Sequence, residues 1–171
     1  TLNALEYALG SSQTHWGSLR AKMGHPEPFS LKYLEIGNEN SGPEYEACFN
    51  RIREAVLERY PQIIIVSNTR SETIKTDIVD DHYYNMPEFF AENIDIYDNY
   101  SRKNPNIFVG EFAVNQTYEG QLRAAISEAM FMVGFERNQD VVKLCSYAPL
   151  FSHVHYQSWY PNLIMFDNSR S

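Results

Sequence analysis

The chain has 171 residues and a formal net charge of −8. It carries no basic tract, which argues against nucleic acid, because phosphate binding needs clustered Lys and Arg. No apolar run approaches the length of a membrane span, the N-terminus shows no signal peptide, and Cys48 and Cys145 have no metal-ligand spacing.

The elements follow in chain order. Residues 2–10 have helical spacing through Leu2, Leu5 and Leu9, and "HWGSLRAKMG" predicts a second short helix. "HPEPF" is a loop stiffened by Pro26 and Pro28, and "LKYLEIG" is a strand. "SGPEYEACFNRIREAVLERY" predicts a helix capped by Ser41, with Pro43 in its first turn and Tyr45, Phe49, Ile52, Val56 and Tyr60 on a buried face. "QIIIVSN" is a short apolar run of the kind buried on both faces of a parallel sheet. "TDIVDDHYY" is the next strand, "MPEFFAENIDIYDNY" is helical in part, and "NIFVGEFA" is again a strand. "YEGQLRAAISEAMFMVGFERN" predicts a helix with Leu122, Ile126, Ala129, Met130 and Val133 along its inner stripe. "VVKLCSYAPLF" is a last strand, and the aromatic remainder reads as irregular. Both cysteines read as buried small apolar residues outside any disulfide.

Strands alternating with helices predict an α/β fold with five parallel strands, over 31–37, 62–67, 76–84, 106–112 and 142–148. A doubly wound sheet would show a glycine-rich phosphate turn after a strand, and none is present. A TIM (β/α)8 barrel instead sets polar groups at the C-terminal ends of several strands. That pattern is visible: Asn38 and Glu39 follow the first strand, His82 and Tyr84 lie at the third, and Glu111 lies at the fourth. About five strands make the barrel incomplete.

Glu39 alone would be an ordinary loop cap, and Glu111 alone an ordinary ion-pair partner. Two glutamates at the same end of two parallel strands are a different matter. Paired carboxylates at one mouth are the tools of glycoside hydrolysis, in which one is protonated to serve the leaving oxygen and the other ionised. For a retaining reaction their carboxyl groups stand about 5–5.5 Å apart. By strand alternation, Tyr84 shares a face with His82 and should point toward the site, with Tyr83 pointing away. Asp80 and Asp81 beside His82 raise the question of a metal, but "DDH" places too few ligands, and no metal is expected. His153 and His155, near Trp159, line a pocket or form a packed surface loop; spacing leaves both open. Abundant aromatics, 12 Tyr, 10 Phe and 2 Trp, suit a core and also sugar stacking.

In order along the chain, "HPEPFSLKYLEIGNEN", "DDHYY", "VGEFAVN" and "SYAPLFSHVHYQSWYPNLIMFDN" resemble glycoside hydrolase family 51, the α-L-arabinofuranosidases. The resemblance runs over essentially the whole chain. It implies a retaining barrel enzyme with its carboxylates on barrel strands four and seven. On that basis Glu39 is the general acid/base, Glu111 the nucleophile, and Asn38 a partner for the hydroxyl next to the anomeric carbon. Tyr84 matches the tyrosine that contacts the nucleophile, His82 the histidine two before it, and Trp159 a border of the sugar pocket.

The resemblance further implies a chain that is a single domain over 1–171, the C-terminal piece of a catalytic barrel. The expected partner is an arabinofuranoside-containing carbohydrate, with no cofactor, nucleic acid or membrane. Self-association through exposed strand edges is expected, and a periplasmic or extracellular compartment is favoured for a polysaccharide-degrading enzyme. Another retaining hydrolase of the same clan, a xylanase or endoglucanase, and a non-catalytic sugar-binding half-barrel are the competing readings.

Overall fold

The structure is a computed structural model that describes residues 1–169. The chain divides into two compact units, Thr1–Ile78 and Val79 onward.

The first unit holds α1 (Leu2–Leu9), α2 (His15–Lys22), β1 (Tyr33–Ile36), α3 (Pro43–Arg59) and β2 (Ile64–Ser67). β1 and β2 pair in parallel, Tyr33 opposite Ile64 and Ile36 opposite Ser67. Parallel neighbours need a crossover, and α3 supplies it. The face predicted for α3 is the one that packs. Phe49 and Val56 are buried, and Tyr45, Ile52 and Tyr60 lie against a cluster that includes Leu5, Ile36, Ile63, Ile65 and Ile74. The cap differs from expectation. Gly42, at φ 87°, holds the N-cap position with no side-chain bond, and Pro43 begins the helix. Ser41 is one residue too early; the chain turns into the helix through a left-handed conformation that suits glycine.

The second unit holds β3 (Ile78–Asn85), whose first residue is the last of the first unit, then α4 (Pro87–Glu92), β4 (Asn106–Val114), α5 (Leu122–Arg137) and β5 (Val142–Cys145). The strands run β3-β4-β5, with β4 and β5 parallel and an irregularity between Ile107 and Phe108. Two short strands, β6 (Phe151–His153) and β7 (Ile164–Phe166), form a separate parallel pair within the stretch that reads as irregular in sequence. The core is aromatic. Phe131 stands 4.6 Å from Phe135 and 5.3 Å from Phe90, and Phe112 stands 5.6 Å from Phe135, all by ring centroids and all edge-on. Each such ring removed from water contributes roughly 2–3 kcal/mol of transfer free energy.

The inner stripe predicted for α5 is not the buried one. Leu122, Ile126, Met130 and Val133 are exposed, and Ala124, Ser127, Glu128, Phe131, Gly134 and Phe135 face inward. The helix has apolar residues on most of its circumference, so periodicity alone does not choose a face. The choice is made by the two phenylalanines and by Gly134, where a Cβ would stand 2.0 Å from the Ile94 carbonyl oxygen. Both cysteines are exposed rather than buried. Cys48 lies on the outer side of α3, and Cys145 ends β5, which pairs with β4 alone among the described residues of its unit.

Glu128 is the one carboxylate on the inner face of α5. It accepts the Val114 N–H at 2.6 Å and the Tyr147 hydroxyl at 3.1 Å. Burial pushes its carboxyl above the usual range, and those two hydrogen bonds offset part of the rise. A carboxyl raised in the folded state contributes stability that is full below its unfolded value, about 4.3, and lost as pH climbs through the raised one. Glu128→Gln keeps an acceptor for Val114 and cannot ionise. Thermal melts between pH 4 and 8 are therefore expected to show the variant gaining on the parent as pH rises. A difference in melting temperature independent of pH would contradict this account.

Candidate active site

In the first unit β1 ends in Gly37-Asn38-Glu39-Asn40. Gly37 has φ 95°, and a Cβ there would stand 2.6 Å from the Tyr45 ring and 2.8 Å from Asn68 Oδ1. Glycine is thus required twice, by conformation and by closeness. The turn is pinned by its neighbours. Tyr45 donates its hydroxyl to the Ile36 carbonyl at 2.7 Å, Asn68 Nδ2 donates to the Asn40 carbonyl at 2.9 Å, and the Asn38 N–H donates to Asn40 Oδ1 at 3.0 Å. Glu39 itself sits at φ 53°, left-handed for a residue with a side chain. Such conformations cost of order 1–3 kcal/mol and persist where the surroundings hold them, often at functional sites. Asn38 and Glu39 are both exposed at the strand end.

In the second unit β3 sorts its side chains by alternation. Asp81 and Tyr83 face the helix side, where Tyr97 donates to Asp81 Oδ2 at 2.7 Å and the Tyr83 ring meets Phe131 edge-on at 5.4 Å. Desolvation, together with the neighbouring Tyr83 and Asp81, raises the Tyr97 hydroxyl far above its ordinary value, so it stays protonated and acts as a fixed donor. Asp80, His82 and Tyr84 take the other face. Tyr84 donates its hydroxyl to Glu111 Oε2 at 2.5 Å. The His82 ring lies between two carboxylates, Nε2 at 2.8 Å from Asp80 Oδ2 and Nδ1 at 3.5 Å from Glu111 Oε2. Glu111 lies within β4 rather than beyond its end, since the strand runs on to Val114. The Trp159 ring stands edge-on to Tyr84 at 6.2 Å and is half exposed.

Four of the residues singled out in sequence, His82, Tyr84, Glu111 and Trp159, therefore gather in the second unit. Asn38 and Glu39 belong to the first. His153 and His155 pack on each other at 5.6 Å, and His153 also lies edge-on to Phe166 of β7 at 5.5 Å, as part of the β6–β7 surface. Asp80 draws notice in sequence only through the question of a metal. The readable signal for it is its period-2 spacing with His82 and Tyr84. Chemically, the second-unit group is a carboxylate held by a phenolic donor and faced by an imidazole, with an aromatic face nearby.

A sequence profile of the Alpha-L-arabinofuranosidase 1 domain matches residues 1–102, more than half of the chain. The chain belongs to the α-L-arabinofuranosidase family. A second profile, the Alpha-L-arabinofuranosidase C-terminal domain, matches residues 97–171. Among curated relatives, the extracellular exo-α-L-arabinofuranosidase of Streptomyces chartreusis is 42% identical over all of this chain and 22% of its own length. The α-L-arabinofuranosidase 2 of Arabidopsis thaliana is 39% identical over 98% of the chain and 26% of its own. The chain thus spans about a quarter of the length of the relatives it matches. Among solved structures, an arabinose-bound family 51 α-L-arabinofuranosidase superposes with a TM-score of 0.82 at 30% identity, over 97% of this chain and 30% of that one. The arabinose complex of the Thermotoga maritima enzyme gives 0.71 at 20% identity, over 88% and 40%, and that likeness speaks for the fold alone. Family and fold class are those expected: α/β, with parallel strands and intervening helices, as in the barrel enzymes of the family.

Proposed function

We propose that the chain is the stretch of a retaining α-L-arabinofuranosidase that carries both catalytic carboxylates, and that residues 1–171 belong to one catalytic barrel domain. The observation that carries this reading is the Glu111 carboxylate, held by the Tyr84 hydroxyl at 2.5 Å and faced by His82 at 3.5 Å, in a chain of this family.

In the proposed reaction Glu111 attacks the anomeric carbon of an α-L-arabinofuranoside while Glu39 gives its proton to the departing oxygen. The glycosyl-enzyme ester is then opened by water, with Glu39 now the base, and arabinose leaves with its starting anomeric configuration. Tyr84 keeps the attacking oxygen aligned and its charge in place. Asn38 would bond the hydroxyl beside the anomeric carbon, and Trp159 would border the sugar. The steps balance with one water consumed: its oxygen goes to the anomeric carbon, one of its protons returns to Glu39, and Glu111 leaves as the carboxylate.

An enzyme of this kind works where its polymer is, and we infer action outside the cytoplasm on arabinose-containing polysaccharide or oligosaccharide. Among the described residues no helix is long and apolar enough to cross a membrane. By itself the 171-residue chain is expected to turn over little and to self-associate, because β1 and β5 each have one partner strand in their units and the α5 stripe is bare.

The test is hydrolysis of aryl α-L-arabinofuranoside against aryl xyloside by the full-length enzyme and by this chain, with light scattering on the chain. Preference for the arabinofuranoside by the longer protein supports the reading. Equal or greater activity on the xyloside would transfer it to a xylanase. A monomeric chain with full activity would overturn the part-of-a-barrel assignment.

A further inference from the structure

Of the three polar groups on the inner face of β3, two reach Glu111 and one does not. Asp80 is that one, and its side chain is 3% exposed. Both of its oxygens are engaged. Oδ1 accepts the N–H of Gly110 at 2.7 Å, and Oδ2 meets His82 Nε2 at 2.8 Å. Where Asp80 acts as an acceptor on this side too, as it does toward Gly110, the proton in the second contact sits on Nε2.

Gly110 immediately precedes Glu111, which makes the first contact informative. A Cβ at position 110 would stand 2.2 Å from Asp80 Oδ1, so the glycine is what lets the carboxylate reach the backbone. The carbonyl of the same residue accepts the Ser146 hydroxyl at 2.5 Å. The residue before Glu111 is therefore held on both its N–H and its C=O, by side chains from either neighbouring segment.

Resting on the reading of Glu111 as nucleophile, we propose that Asp80 is a positioning residue for it, working along two routes. Through Gly110 it fixes the backbone from which Glu111 projects. Through His82 it fixes the ring, keeping the proton on Nε2 and Nδ1 turned toward Glu111 Oε2. A buried aspartate that only satisfied the Gly110 N–H would do the first and not the second. The leverage is large, because displacing a reacting group by about 1 Å costs on the order of 10²-fold in rate.

Asp80→Asn separates the two. The amide oxygen still accepts from Gly110, while Nδ2 presents hydrogens to Nε2, which must then accept and lose its proton. For the enzyme acting on an aryl arabinofuranoside, kcat is expected to fall about 10²-fold with KM within about threefold, because the loss lies in the reacting geometry and not in sugar binding. In 15N-histidine spectra Nε2 of His82 is expected to carry a proton in the unsubstituted protein and to lack it in the variant. Adding Asp80→Asn to His82→Ala is expected to cost less than about twofold more than His82→Ala alone, since partners in one route are not additive. An Nε2 without a proton in the unsubstituted protein overturns the proposal with no variant needed, even if Asp80→Asn does not fold. So does an unchanged kcat, or a double variant whose losses multiply. An unsubstituted full-length enzyme that cleaves no aryl glycoside would instead overturn the nucleophile reading; an active one indifferent to Asp80→Asn would leave that reading standing and remove this one.

Discussion

Alanine at position 111 is expected to abolish turnover of every arabinofuranoside, with a loss on the order of 10⁵-fold or more in kcat, comparable to removing the nucleophile of a hydrolase that works through a covalent intermediate. No neighbour can take over. Tyr84 and His82 are aimed at Glu111 Oε2 and bring a phenol and an imidazole where a carboxylate is needed. Glu39→Ala is expected to behave differently. Its proton matters only when the leaving group needs one, so an activated aryl arabinofuranoside still glycosylates the enzyme and the intermediate accumulates. Azide needs no base to attack, and is expected to restore turnover there and release a glycosyl azide with the substrate's configuration. In Glu111→Ala any azide product must have the opposite configuration, because only one displacement remains. Measuring the burst, the azide rescue and the anomeric form of each product tests both roles together. Equal failure of the two variants on the activated substrate, without azide rescue of Glu39→Ala, would remove the assignment.

What could be read from the sequence depended on how local the cause was. The β3 face was legible because strand periodicity is two, so "DDHYY" had to send His82 and Tyr84 one way and Tyr83 the other. The face of α3 was legible because its apolar residues occupy one side. That of α5 was not, because Leu122, Ile126, Met130 and Val133 mark a stripe as regular as the one that is buried. The decision rests on Phe90, Phe112 and Ile94, which lie outside the helix. Gly42 displaced Ser41 as cap because the entry to α3 is left-handed, which cap preference does not encode. The strands β6 and β7 have three residues each, too few for a period to show. At the site, Glu111, His82 and Tyr84 could be placed by register. Asp80's hold on Gly110 could not, because it joins residues 30 positions apart. Trp159 came from family resemblance alone, since nothing in "HYQSWYP" fixes where its ring points.

Arg20→Met is expected to unsettle the first unit more than any surface change. Arg20 has no exposure to solvent, and its guanidinium is used up on carbonyl oxygens: Nε donates to His25 at 3.0 Å, Nη1 to Tyr7 at 2.6 Å and Ala8 at 3.4 Å, and Nη2 to Pro26 at 2.9 Å. Those acceptors lie at the end of α1 and along the "HPEPF" loop that leads into β1, so one side chain ties helix to loop. Methionine fills much of the same volume and donates nothing. A carbonyl that loses its donor costs about 1–3 kcal/mol where water cannot replace it. His25 and Pro26 are exposed residues and Ala8 keeps a second partner in the Phe29 N–H at 2.8 Å, so the loss falls mainly on Tyr7. With the tie between helix and loop also lost, a total of about 2–3 kcal/mol is expected. For a chain of this size that corresponds to a fall of about 5–10 °C in melting temperature. Lysine is expected to rescue little, because one ammonium on a flexible stem cannot match a planar fork that serves four acceptors. Hydrogen exchange locates the effect: protection should drop at Phe29, Gly24 and the end of α1, while the aromatic core around Phe131 keeps its own. A melting temperature within about 2 °C of the parent, on the scale of under 1 kcal/mol, would mean that water or a rearranged loop satisfies those carbonyls and that Arg20 is not the tie.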